Sequence, residues 1–220
     1  RADMSRTREP YGPMVVGLPA VCLVLVMLAS CASERATEVG VARVDVTPGY
    51  PIRLVGYSNR LGESEGVEQR LWAKAVAIRR GGESPAVLVA VDNIGVPAHV
   101  TEEVAGRLNR TAGILRERLV VCATHTHTGP RLAGTLPTMV GPDETEEQLA
   151  RVARYTSELT DHLERVALAA VSDLRPGRLA WARGEAGFAV NRRVMREGRC
   201  TGIGVNADGP VDRRLSMLCV

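Results

Sequence analysis

One seven-residue stretch constrains the fold more than any other: Arg118 to Thr124 (RLVVCAT), a short and nearly continuous apolar run. A strand with one face in water alternates apolar and polar residues, so a run without alternation predicts a strand covered on both faces. Sheets built from such strands carry helices, and helical sequence is present on both sides of the run. Val100 to Leu108 reads as a modest helix after Pro97. Further on, Leu149, Val152, Leu159, Leu163, Val166 and Ala170 recur at helical spacing. Asp143 with Glu146 fits a capping arrangement at its start, and Leu174-Arg175-Pro176-Gly177 stops it.

Other segments also read as strands. Val39 to Val46 reads as a half-buried strand ended by Thr47-Pro48-Gly49. Leu71 to Arg80 and Ala86 to Asp92 read as a strand pair joined by a Gly81-Gly82 turn, and further strands are expected at Arg178 to Arg183 and Leu215 to Val220. The order of elements predicts an α/β fold: a mixed β-sheet with flanking helices. The last strand is apolar to its final residue, so the fold is expected to be incomplete at the C-terminus.

At 220 residues, 45% hydrophobic and 24% charged, the chain has the composition of one globular domain or of a piece of a larger one. Aromatic residues make up only 3%, which leaves Val, Leu and Ala to fill the core. The net charge of +3 is spread along the chain, without the clustered Lys/Arg that a nucleic-acid partner requires. Gly202-Ile203-Gly204 lacks both a third glycine and a following helix, so it makes no nucleotide loop.

Residues 1–31 have a separate character. Arg6 and Arg8 precede an uncharged run from Met14 to Ala29, too short to span a bilayer comfortably and interrupted by Gly17 and Pro19. Basic, apolar and small-residue regions in that order predict an export signal. Leu28-Ala29-Ser30-Cys31 resembles the bacterial lipobox, which makes Cys31 the expected lipidation site and predicts an envelope lipoprotein held at the membrane surface. With Cys22 and Cys31 assigned to the signal, Cys122, Cys200 and Cys219 remain, without any CxxC pair. Cys122 and Cys219 sit in apolar stretches and are expected to be small core residues.

The chemistry is expected just after the apolar run, in Ala123-Thr124-His125-Thr126-His127-Thr128-Gly129-Pro130. Alternate residues of an extended segment face one way, so His125 and His127 can serve one pocket at a strand's C-terminal end. Imidazole is a preferred zinc ligand, and a catalytic zinc keeps one position open for water. Thr124, Thr126 and Thr128 are candidates for orienting the rings. A metallo-β-lactamase-like site would continue with Asp and His, where this chain has Gly129 and Pro130. A barrel amidohydrolase would carry the pair on its first strand, whereas about three strands come first here.

The same segment is similar to the hallmark of neutral ceramidases, usually written with Ser where this chain has Thr128. Further matches follow in order: Val41-Ala42-Arg43-Val44-Asp45-Val46-Thr47-Pro48, Gly56-Tyr57-Ser58, Arg70-Leu71-Trp72-Ala73-Lys74-Ala75, Val91-Asp92, Leu174-Arg175-Pro176-Gly177 and Asn191-Arg192. The resemblance runs from about Val39 to Val220. It implies residues 32–220 as the N-terminal portion of a catalytic domain, His125 as zinc ligand and His127 as a companion that positions substrate or stabilises charge at the amide. It also implies Arg192 as an oxyanion-stabilising arginine. The implied reaction is zinc-assisted cleavage of the N-acyl bond of ceramide to sphingosine and fatty acid. The family's other zinc ligands (a second His, a Glu and a Tyr) and its serine fit neither His99 nor His162 and are expected beyond Val220. The fragment alone is therefore expected to be inactive. Two other functions remain open: a non-catalytic lipid-anchored binding protein on this scaffold, and a hydrolase of another amide or ester.

Overall fold

The computed structural model describes residues 36–57, 59–135 and 144–220. The export signal, Cys31 and Asp143 lie outside the described residues. The first strands form where the sequence places them: β1 (Thr37–Asp45), β2 (Trp72–Arg80) and β3 (Ala86–Val91) pair antiparallel in sequence order. Gly81 and Gly82 both take positive φ in the turn between β2 and β3. Helix α1 (Ala98–Ala112) then carries the chain back, and β4 (Leu119–Ala123) joins β3 in parallel. Helix α2 (Glu146–Ser172) is followed by β5 (Arg175–Pro176), which pairs with β1. The result is a mixed five-stranded sheet in the order β4-β3-β2-β1-β5, an α/β architecture.

Both helices supply the core. Val100, Val104 and Leu108 of α1, with Leu159, Leu163 and Val166 of α2, form one buried cluster with Ala73, Ala75 and Ala77 of β2 and Val87, Val89 and Val91 of β3. Few aromatics are needed because small side chains let the layers approach closely. At Gly40 of β1 the approach is closest, since a Cβ there would lie 2.0 Å from the Ala170 carbonyl oxygen. The start of α2 lies later than Asp143 and Glu146 suggest. Thr145 is the N-cap, accepting from the Gln148 N–H while the Gln148 side chain accepts from the Thr145 N–H, a reciprocal capping box.

The apolar run does become a strand, but among the described residues only one of its faces is covered. It stands at the sheet edge, with Leu119 buried toward the helices and Val120 54% exposed on the other side. Val120, Leu88, Val76 and Val41 lie in register across four strands, and all but the half-buried Val76 are exposed. An unbroken apolar run reports apolar side chains on both faces; it does not say that something covers each. Cys122 and Cys219 are likewise exposed, against the expectation of core residues, because each lies on the uncovered side of a strand.

Beyond residue 176 the chain forms two separate two-stranded antiparallel sheets. One pairs β6 (Ala180–Glu185) with β9 (Arg214–Cys219), the two strands expected from sequence. The other, β7 (Asn191–Arg196) with β8 (Arg199–Asn206), carries no clear alternation; its signal is the Glu197-Gly198 turn, where both residues take positive φ.

Candidate active site

The site is built at the C-terminal ends of β3 and β4, which run parallel. Asp92, immediately after β3, joins three strand ends: Oδ2 accepts from the Trp72 N–H (2.9 Å) and Oδ1 from the Thr124 hydroxyl (3.1 Å). Next to it, Asn93 is fully buried and shapes the following turn. Its Oδ1 accepts from the Ile94 N–H (2.8 Å), and its amide donates to the Pro130 carbonyl (2.9 Å). That turn presents the Ile94 carbonyl to His125 Nδ1 at 2.8 Å. A neutral imidazole that donates from Nδ1 to a carbonyl keeps a lone pair on Nε2, the arrangement typical of metal-binding histidines.

The two histidines meet as expected, but not because the segment is extended. His125 adopts a left-handed conformation (φ 61°), and the chain turns at His127–Thr128. The rings nevertheless converge: Nε2 of His127 lies 3.5 Å from Nε2 of His125, with ring centroids 5.1 Å apart and planes at 75°. The threonines do not orient them. Thr124 is bonded to Asp92, and the Thr126 and Thr128 hydroxyls bond each other at 2.9 Å. Backbone carbonyls and ring packing take the role expected of the hydroxyls.

A second segment reaches the site from the loop between β1 and β2. Residues 53–55 pair antiparallel with residues 129–131: the Arg131 N–H donates to the Arg53 carbonyl (2.8 Å), the Val55 N–H to the Gly129 carbonyl (3.2 Å), and Leu54 bridges Pro130. This places Gly56 and Tyr57 against His127. The Tyr57 ring meets the His127 ring edge-on, centroids 5.1 Å apart, and Arg60 Nη1 donates to the His127 carbonyl at 2.7 Å. Arg60 also stands over the Tyr57 ring, 5.0 Å from its centroid.

Thr126 and Thr128 face the other way, into a cleft of about 760 Å³ shared with Thr47, Tyr50, Leu71 and Asp92. Neither histidine lines it. At its rim, Asp45 accepts from the Thr47 N–H (2.9 Å) and from Arg70 (2.8 Å). Partial burial raises the Asp45 carboxyl, but the bonds from Thr47 and Arg70 outweigh it and hold the group below the usual aspartate range. Burial and a hydrogen bond to Glu158 push the Tyr50 phenol up to about 12.

Arg192 lies on β7, exposed and without a hydrogen bond or ion pair among the described residues, and no contact joins it to either histidine. Arg193 is similarly exposed. His99 is exposed in the first turn of α1, and His162 lies on α2 beside Arg165. Among the described residues no group of three or more His, Cys, Asp or Glu converges as a metal site would require. His125 offers one free imidazole nitrogen and His127 a second nearby, so the set fits part of a catalytic zinc centre, short of its three protein ligands. Sequence reasoning missed Asn93, Ile94 and Arg60 as site residues. Ile94 acts through its backbone carbonyl and leaves no side-chain signal, and Arg60 is set apart from other surface arginines only by the pairing of residues 53–55 with 129–131.

A family described as neutral/alkaline non-lysosomal ceramidase, N-terminal, matches residues 38–195. Among solved structures, the chain is similar to neutral ceramidase from Pseudomonas aeruginosa at 25% identity and a TM-score of 0.60, over 73% of this chain and 25% of that one. It also resembles a ceramidase complexed with C2, at 23% identity and a TM-score of 0.62, over 84% of this chain and 28% of that one. The chain thus spans about a quarter of the length of these relatives. No curated protein matches it.

Proposed function

The chain belongs to the neutral/alkaline non-lysosomal ceramidase family, and from that premise we propose that it forms part of a zinc amidohydrolase cleaving the N-acyl bond of ceramide or a related N-acyl lipid. One observation carries the reading: His125 is anchored through Nδ1 to the Ile94 carbonyl, which leaves the lone pair on its Nε2, at the strand ends and 3.5 Å from His127 Nε2. His125 would hold the metal. Zinc, when bound, supplies an activated water and a polarised carbonyl, the two things amide hydrolysis lacks at neutral pH. His127 would orient the amide or donate to charge developing on its oxygen. Arg192 joins as an oxyanion donor in this reading, which requires β7 to meet the strand ends. Export and a lipid anchor at Cys31 would keep the protein at the membrane where such a substrate resides.

Neither one imidazole nor two supply the three protein ligands of a catalytic zinc, so the 220-residue chain alone is expected to be inactive. The same donor count favours, as a second reading, a non-catalytic lipid-binding role on this scaffold. Calorimetry with zinc chloride and an assay for sphingosine release from ceramide, both on the full-length gene product, separate the two. Zinc binding lost in His125→Ala, together with sphingosine release by the full-length gene product, supports the hydrolase. Ceramide binding with neither zinc uptake nor sphingosine release would sink it.

A further inference from the structure

His125 is held by a hydrogen bond, but His127 is not: among the described residues its ring has only the long 3.5 Å approach to His125. Packing must therefore set its orientation, and the packing comes from one short loop. Gly56 lies beneath the ring in a conformation that side chains avoid (φ 124°), and a Cβ there would sit 2.6 Å from His127 Cβ and Cγ. Tyr57 meets the ring edge-on at 68° between planes. Arg60 closes the loop through the Tyr57 carbonyl, which accepts its N–H at 3.2 Å, while its guanidinium grips the His127 carbonyl and covers the Tyr57 ring. The groups form a continuous series: Arg60, Tyr57, His127, His125, Ile94 carbonyl.

We infer that Tyr57 and Arg60 are positioning residues for His127, acting together as a brace that turns its Nε2 toward His125. Tyr57 is 54% exposed, more than core packing would leave it, and its contacts are those of an aromatic edge and a cation rather than of its hydroxyl. Gly56 is the clearance that lets the brace close. The consequence for catalysis rests on the ceramidase reading; the orientation of the ring does not.

The test uses long-range proton–nitrogen correlation spectra of the histidine side chains in the 220-residue protein at one fixed pH. Four histidines give four separable ring patterns. Tyr57→Ala is expected to shift the His127 signals through loss of ring shielding, and those of His125 less, while His99 and His162 stay in place. Tyr57→Phe should retain the original pattern, since the hydroxyl plays no part, and Arg60→Ala should again move His127. Unchanged His127 signals in Tyr57→Ala, or a Tyr57→Phe pattern as altered as that of Tyr57→Ala, would overturn the inference. Where the full-length gene product hydrolyses ceramide, Tyr57→Ala should lower kcat on the order of tenfold or more, with KM changed little. If the rings move as expected and sphingosine is never released, the ceramidase reading fails and the brace stands.

Discussion

The two halves of the described chain use the same kinds of residue to different effect. In the first, strands and helices bury one another: Val89, Leu159 and Leu163 are completely shielded, and small alanines on β2 let the layers close. In the second, the two-stranded sheets hold their shape by backbone ladders while leaving apolar side chains in solvent, with Trp181 76% and Ile203 81% exposed, and Phe188 in the turn between them 89% exposed. Pairing satisfies the backbone of a strand, but burial supplies the free energy, and an isolated two-stranded ladder is marginal in water. The stability of the chain therefore resides in the five-stranded sheet and its helices.

Substitutions can break or sharpen that contrast. Leu163→Ala, in the core, should cost about 2–5 kcal/mol in denaturant unfolding, the range for cavity-forming truncations. A cost under about 1 kcal/mol would mean that the helix–sheet interface is looser than the burial implies. A pH titration of stability probes the rim between core and cleft, where the Tyr50 phenol is pushed up to about 12 by burial and its bond to Glu158. The unfolded chain releases that proton near 10, as an unperturbed tyrosine does, so the contribution is full below about 10 and disappears as pH rises toward the folded value. Tyr50→Phe should flatten this part of the alkaline limb; an identical limb in the variant would remove Tyr50 as its cause. The smallest effect is expected at Phe188→Ser, within about 0.5 kcal/mol, because the side chain is already in water. A larger loss would show that the outer segment has packing partners.

Much of the fold was legible because its signals are local. Alternation marked β1, helical spacing marked α2, and the glycine pair between two apolar-rich segments marked the hairpin of β2 and β3. The position of His125 and His127 after a strand was equally readable, since a motif and the element before it lie side by side in the chain. Less visible were the hairpin of β7 and β8, whose pairing depends on a turn rather than on a pattern, and the exposure of Cys122, which depends on where its strand falls in the sheet.

By itself the sequence determined most strands and helices of the five-stranded sheet, the segment in which two histidines follow a strand, and the family to which the chain belongs, because periodicity, turn residues and motifs are carried by neighbours. Only the tertiary structure decided that the apolar run would be an edge strand, that the Ile94 carbonyl rather than a threonine would anchor His125, and that Tyr57 and Arg60 would brace His127 from about 70 residues away. Those outcomes follow from strand order and from backbone atoms meeting across the fold, and neither is written in the identity of any one residue.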